Sequence, residues 1–229
     1  MVNYVTLSID GSTVKGPKGS SVLDAAIEYG ICIPHLCHMP LLEDIGACRV
    51  CIVEQVRNGQ SKITTSCTLG VQEGLVIRAN SEKVRRLRRN IAELLVAQAP
   101  NSRAIQDLAV RCGVKEVRYP FRNEDCVLCG RCVRYCREMA NANSLGFVGR
   151  GRDRHVDYPL GLRDLCKHCG LCTLNCPMSI TPCEGPMKKG EERLCGKCEA
   201  QLAITVGMED SCVWCELGKG FNCSRHLGQ

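Results

Sequence analysis

The chain has 229 residues, 20 of them cysteine, and a formal net charge of +6. So many cysteines mark a disulfide scaffold or a metal protein; the first kind is usually short and secreted, and the opening residues MVNYVTLSIDG lack the basic and apolar regions that direct export. Reduced metal ligands in a cytoplasmic protein are therefore expected, and the longest apolar run, IAELLVAQA, falls well short of the roughly eighteen residues of a membrane span. The positive charge is weak evidence for a nucleic-acid partner, because metal-thiolate groups carry negative charge that the formal sum omits. With 4% aromatic residues the chain has little conventional core, which predicts that metal holds part of the fold together.

Residues 1–79 read as one small α/β unit. YVTLSID alternates with Val5, Leu7 and Ile9 on one face, and Asp10-Gly11 is a hairpin turn leading into STVKG. SSVLDAAIEYG predicts a helix capped by Ser20 or Ser21, with Val22, Ala25, Ala26 and Tyr29 inward and Gly30 as its stop. RVCIVEQV, KITTSC and LVIRA are short strands separated by turns.

Within this unit Cys37, Cys48, Cys51 and Cys67 are spaced C-x10-C-x2-C-x15-C. A 2Fe-2S rhomb needs four thiolates in a loop whose N–H groups turn toward the sulfurs, whereas zinc sites usually use two close cysteine pairs; this set has one, which favours iron-sulfur over zinc. Cys32 is expected to be a small buried apolar residue, and His35 and His38 loop histidines, outside the ligand set. IPHLCHMPLLEDIGACRVCIVEQV followed by TSCTLGVQEGLVI resembles the N-terminal 2Fe-2S domain of the complex I large iron-sulfur subunit. It is similar also to that subunit's relatives in iron-only and bifurcating hydrogenases and NAD-linked formate dehydrogenases. The resemblance implies a β-grasp ferredoxin domain with Cys37, Cys48, Cys51 and Cys67 as the cluster ligands.

Residues 80–119 read as a helical bridge. SEKVRRLRRNIAELLVAQAP has a serine cap, an apolar stripe of Val84, Leu87, Ile91, Leu94 and Leu95, and a closing proline; NSRAIQDLAVRCG repeats the cap-to-glycine logic.

Residues 120–182 carry C-x2-C-x2-C-x3-C twice, at Cys126, Cys129, Cys132 and Cys136 and again at Cys166, Cys169, Cys172 and Cys176. A compact triplet places three thiolates on three corners of an iron-sulfur cube, while the fourth cysteine completes the other cube. This predicts one 4Fe-4S cluster on Cys126, Cys129, Cys132 and Cys176, and a second on Cys166, Cys169, Cys172 and Cys136. Gly130 and Gly170, at equivalent places, allow close backbone approach. Arg131, Arg134 and Lys167 are expected on the solvated surface, and His168 beside a quartet rather than in it. Pro177 follows Cys176 as in bacterial ferredoxins, whereas Arg137 follows Cys136, a departure matching the CGRCVRYCRE type of the complex I and hydrogenase relatives.

That resemblance also has a gap. Most such subunits hold a further 4Fe-4S cluster on one histidine and three cysteines between the two regions, but residues 68–125 contain no histidine and only Cys112. The expected fold is thus α+β: a β-grasp 2Fe-2S domain, a helical bridge, a bacterial-type double 4Fe-4S ferredoxin domain, and a cysteine-rich tail. In that tail, 183–229, Cys195, Cys198, Cys212 and Cys215 form two C-x2-C pairs that suit zinc or a further iron-sulfur cluster, with Cys183, Cys223 and His226 as substitutes and Trp214 packed over the site.

No dinucleotide or P-loop motif occurs, so catalysis is assigned elsewhere. The expectation is an electron-transfer subunit of a cytoplasmic hetero-oligomer. By resemblance it serves a flavoprotein that oxidises NAD(P)H and a further redox subunit or ferredoxin. A free-standing polyferredoxin is the alternative, and a zinc-rich regulatory or nucleic-acid module, suggested by the basic run KVRRLRRN, a more distant one.

Overall fold

The computed structural model describes residues 3–122 and 124–178 and, beyond these, four two-residue strands, Ile180–Thr181, Gly185–Pro186, Arg193–Leu194 and Gln201–Leu202. The expected tail ligands Cys195, Cys198, Cys212 and Cys215, with Cys183, Cys223, His226 and Trp214, lie outside the described residues. The chain divides into two units, Met1–Cys129 and Gly130–Gln229.

In the first unit, β1 (Tyr4–Ile9) and β2 (Ser12–Pro17) form an antiparallel hairpin closed by Asp10 and Gly11, whose φ values of 49° and 84° are the pair a two-residue turn needs. A second hairpin, β3 (Ile52–Arg57) and β4 (Gln60–Thr65), turns in the same way on Asn58 and Gly59. Strand β5 (Leu75–Arg78) enters between them, parallel to β1 and antiparallel to β3, giving the order β2-β1-β5-β3-β4. Helix α1 (Val22–Glu28) packs Val22, Leu23, Ala25 and Ala26 into one core with Leu7, Ile9, Val14, Val53 and Ile77 of the sheet. This mixed sheet with one helix is the β-grasp expected from the sequence.

The helix starts at Ser21, whose hydroxyl accepts from Asp24 N while the Asp24 carboxylate accepts from Ser21 N. Tyr29 departs from expectation: it is the C-cap residue and is 47% exposed, because the helix ends one residue before it. Gly16 on β2 lets the helix come close, since a Cβ there would stand 3.2 Å from both Ala25 Cβ and Val71 Cγ1.

Helices α2 (Glu82–Gln98) and α3 (Arg103–Arg111) follow, α2 capped by the Ser81 hydroxyl on Val84 N. The inward face of α2 is not the expected leucine stripe: it buries Val84, Arg88, Ala92, Glu93 and Ala97, and leaves Leu94 50% exposed. The physical reason is polar. Arg88 donates through Nε to Val50 O (3.0 Å) and through Nη2 to Ile52 O (2.7 Å) and Ala79 O (3.2 Å). Glu93 accepts from the backbone N–H and guanidinium of Arg118. These bonds rotate the helix so that its charged residues, once satisfied, go inside.

The second unit begins with α4 (Arg131–Arg134), which runs into a wider π-type turn, Tyr135–Met139, closed by Ala140 N donating to Tyr135 O. A short hairpin, β6 (Gly146–Val148) with β7 (His155–Asp157), and a 3-10 stretch, Pro159–Leu165, lead to α5 (Leu171–Leu174).

Candidate metal centres

Every described cysteine from Cys32 to Cys176 is a thiol rather than half of a disulfide. The first group, Cys37, Cys48, Cys51 and Cys67, is buried at 1–8% exposure, and Cys51 and Cys67 belong to the apolar core. Their loops interlock in two pairs. Cys37 N donates to Cys48 Sγ (3.4 Å) and Cys48 N to Cys37 Sγ (3.5 Å), while both the N–H and hydroxyl of Ser66, the neighbour of Cys67, donate to Cys51 O.

The paired thiols share protons unevenly. The Cys37 thiol holds the proton of its pair and draws Cys48 down to about 5; likewise Cys67 donates toward Cys51 and lowers it to about 7. The partners Cys37 and Cys67 are raised well above the thiol range by those same hydrogen bonds and by burial. Among the described residues no three His, Cys, Asp or Glu side chains converge on a point as a single ion requires. Four sulfurs in two pairs, backed by main-chain donors, fit a dinuclear rhomb with two thiolates per iron better than one tetrahedral ion.

Two neighbours behave unlike their sequence reading. Cys32, expected to be buried, is exposed, because the chain leaves α1 there on an open turn. His38 is more than a loop histidine: it is buried, with Nδ1 2.8 Å from Asp44 and Nε2 3.4 Å from Asp24 of α1. Burial opposes its protonation, but the two carboxylates outweigh that and raise its pKa above the ordinary value. His38 thereby fastens the Cys37 loop to α1.

The two later cysteine runs share the same left-handed turn. In the first, Leu128 and Gly130 lie at φ 53° and 73°; forty positions on, His168 and Gly170 lie at φ 50° and 65°. Left-handed conformations at a leucine and a histidine are uncommon, and here each glycine is also the N-cap of a four-residue helix, α4 or α5. Leu128 N donates to Cys126 Sγ at 3.3 Å, so the turn presents a main-chain donor to sulfur. Such turns, with successive N–H groups facing inward, suit an anionic cluster.

The runs diverge one residue before their fourth cysteine, at Tyr135 and Asn175. Pro177 restricts Cys176 to extended backbone, and α5 ends before it; Arg137 imposes no such limit, so Cys136 sits inside the π-type turn. There its sulfur lies 3.3 Å from Ser144 N and 3.1 Å from Ser144 Oγ. The adjacent Tyr135 hydroxyl is buried without a hydrogen-bond partner among the described residues, as fits a position facing a bound group. Burial raises the pKa of that phenol.

Arg134, expected in solvent, is 2% exposed and donates to Gly130 O, so it packs inside the helix turn it belongs to. Lys167 is exposed as expected, with Nζ 2.8 Å from Ala140 O, which ties the second run to the end of the first. His168 remains an exposed loop residue.

Sequence reasoning missed Arg88, Gln98 and Ser144. A lone arginine four residues from both Val84 and Ala92 on one helix stripe was a usable signal for the first. Ser144 carried none, since its contact with Cys136 depends on the π-type turn. Gln98 donates to Cys126 O at 2.8 Å, and only the bonds from Arg122 N to Ala97 O and from Glu124 N to Gln98 O, at the end of α2, bring that carbonyl within reach.

Comparison with known proteins agrees with both regions. A family model described as a 2Fe-2S iron-sulfur cluster binding domain matches residues 3–82, and one described as the ferredoxin-like domain of NADH-quinone oxidoreductase subunit 3 matches residues 120–161. The chain is 31% identical over 198 residues to the alpha subunit of an NADPH-Fe(3+) oxidoreductase from Geobacter sulfurreducens, covering 76% of this chain and 23% of that one. It is 31% identical over 209 residues to the NADP-reducing hydrogenase subunit HndD of Solidesulfovibrio fructosivorans, covering 77% and 35%. The chain thus spans about a quarter to a third of these curated relatives. A chain in the crystal structure of an NAD+-reducing [NiFe]-hydrogenase in the H2-reduced state superposes with a TM-score of 0.67 at 27% identity, covering 81% of this chain and 88% of that one. Among the described residues no helix is long and apolar enough to cross a membrane.

Proposed function

We propose that this chain, an iron-sulfur protein similar to subunits of NAD(P)-linked hydrogenases and of NADH-quinone oxidoreductase, relays single electrons inside a hetero-oligomeric NAD(P)-linked oxidoreductase. The observation that carries the reading is the combination of four paired, buried thiols in one unit with two cysteine turns further along that share a left-handed pair of residues at matching positions. In this reading Cys37, Cys48, Cys51 and Cys67 hold a 2Fe-2S cluster. Cys126, Cys129, Cys132 and Cys176 hold one 4Fe-4S cluster, and Cys166, Cys169, Cys172 and Cys136 the other. A metal in the tail, zinc or a fourth cluster on Cys195, Cys198, Cys212 and Cys215, completes the set.

Bound clusters supply one-electron chemistry; the chain supplies the rest. Main-chain and serine donors at Cys37, Cys48, Cys126 and Cys136 favour the more negative reduced state, and burial of the first group keeps water from the sulfurs. The partners are a flavoprotein that exchanges hydride with NAD(P)H and a second redox subunit or ferredoxin, in the cytoplasm.

Isolation of the native assembly under oxygen-free conditions, with iron, sulfide and zinc counted on the same sample, tests this. A brown complex is expected, with a flavoprotein at stoichiometric level and cluster signals that appear on adding NAD(P)H. A colourless zinc-only protein would overturn the reading, and a brown chain recovered alone would identify a free-standing carrier instead.

A further inference from the structure

Helix α2 touches the loops of two different cysteine groups, one from near its middle and one from its C-terminal end. Near the middle, Arg88 binds the carbonyls of Val50 and Ile52, the residues on either side of Cys51. At its last residue, Gln98 binds the carbonyl of Cys126. Both contacts lie within the first unit, and the step of ten residues from one to the other corresponds to about 15 Å of helix axis. Each is a directed bond from a side chain to a main-chain oxygen, and each fixes a cysteine-bearing backbone to the same rigid rod.

The rest of the helix is built to keep that rod in place. Ala79 O, at the end of β5, takes a third bond from Arg88, and Asp10 holds the same junction through Ala79 N (2.7 Å) and Asn80 Nδ2 (3.0 Å). Glu93, midway, clamps Arg118, and Arg122 N and Glu124 N donate to the carbonyls of Ala97 and Gln98 at the helix end. A helix is stiff over such a length, whereas the loops it carries are irregular and would otherwise settle their own spacing. The separation of Cys51 from Cys126 is therefore set by α2.

We infer that α2 is the strut that mounts the 2Fe-2S ligand loop and the first 4Fe-4S ligand loop at a fixed separation. Arg88 and Gln98 are its positioning residues for direct electron transfer between them. The inference rests on the cluster assignment proposed above. It also accounts for the span from 68 to 125, where the residues for an intermediate cluster are missing and this helix stands. Clusters bound there would supply one-electron exchange, in which no bond forms or breaks and no proton moves, while Arg88 and Gln98 hold the backbones that carry the ligands. The reductant is the flavoprotein of the assembly or, in the test, dithionite.

The test uses the full chain, isolated with its clusters, as wild type and as Gln98→Ala, Arg88→Gln and Arg88→Lys. Iron and sulfide are counted, the enhancement of 2Fe-2S spin relaxation by the reduced cube is measured by pulsed EPR, and amide exchange is followed at 48–54 and 124–128. Gln98→Ala is expected to retain its iron and sulfide yet change the relaxation enhancement by about 1.5-fold for each ångström of displacement, since a dipolar enhancement falls as the inverse sixth power of a separation of about 15 Å. Exchange at 124–128 should rise with it. Arg88→Gln should do the same with faster exchange at 48–54, and Arg88→Lys, which keeps one donor, should restore part of the effect.

Full cluster content with unchanged relaxation in Gln98→Ala overturns the inference, whether or not Arg88→Gln folds. Wild type that binds no iron-sulfur cluster would instead overturn the cluster assignment, a result distinguishable by the metal count alone.

Discussion

The carboxylate of Glu93 accepts three bonds from the guanidinium of Arg118, at 2.7, 2.9 and 3.1 Å, and a fourth from its backbone N–H at 2.6 Å. The side-chain bonds from Arg118 are the main cause that holds the Glu93 carboxyl below its ordinary value of 4.5. A group with a lowered folded pKa stabilises the fold fully above its unfolded value, and that contribution is lost as the pH falls through the folded one. Glu93→Gln is therefore expected to be less stable than wild type at neutral pH, with the gap closing below pH 4.5. Denaturation midpoints across an acid series would show it; a gap that stays constant from pH 7 to pH 3 would contradict the assignment.

Ser144 gives the Cys136 sulfur both a backbone and a hydroxyl contact. Ser144→Ala keeps the first and removes the second. One hydrogen bond to a charged sulfur is worth about 1.5 kcal/mol, equivalent to about 60 mV for a one-electron couple, and it favours the reduced state. A cluster held on Cys136, as proposed, should shift negative by tens of mV in an EPR-monitored redox titration, with the 2Fe-2S potential unmoved.

Gly130 at φ 73° begins α4 directly after Cys129. Gly130→Ala should cost about 1 kcal/mol for the left-handed Cβ, and Leu128→Gly, at φ 53°, should gain a similar amount. Opposite shifts in the thermal midpoint of the iron-loaded protein check the pair. Movement in the same direction would mean that the turn is not held as described.

Arg88→Met leaves the carbonyls of Val50, Ile52 and Ala79 without their buried donor. The expected loss is about 3 kcal/mol, read from urea denaturation, since unpaired buried acceptors cost about 1–3 kcal/mol each and some regain water. An exposed neighbour such as Arg85→Met should change stability by less than about 0.5 kcal/mol.

The β-grasp was legible because its turns are local chemistry: Asp10-Gly11 and Asn58-Gly59 both adopt the positive φ values their residue types favour. The cysteine turns were legible because a duplicated spacing survives any side-chain change, as Leu128 and His168 at matching positions demonstrate. The inward face of α2 was not legible. A hydrophobic stripe ranks Leu94 above Arg88, yet carbonyls at the sheet edge satisfy the guanidinium and leave the leucine outside. Arg134 was misplaced for a like reason, its burial depending on a one-turn helix whose carbonyl it takes up. The basic run Lys83–Arg89 loses Arg88 to the interior, which leaves Lys83, Arg85, Arg86 and Arg89 as its outward charges.

Arg88 keeps its positive charge among backbone oxygens rather than beside a carboxylate, and burial lowers its pKa. By reciprocity, whatever firms the stretch around Cys51 must firm the seating of α2, and the seated helix in turn firms the stretch leading to Cys126. Because that coupling is reciprocal it sets no order between the two: a polypeptide firmed at either stretch is better prepared at the other, and one firmed at neither leaves both open to proteolysis.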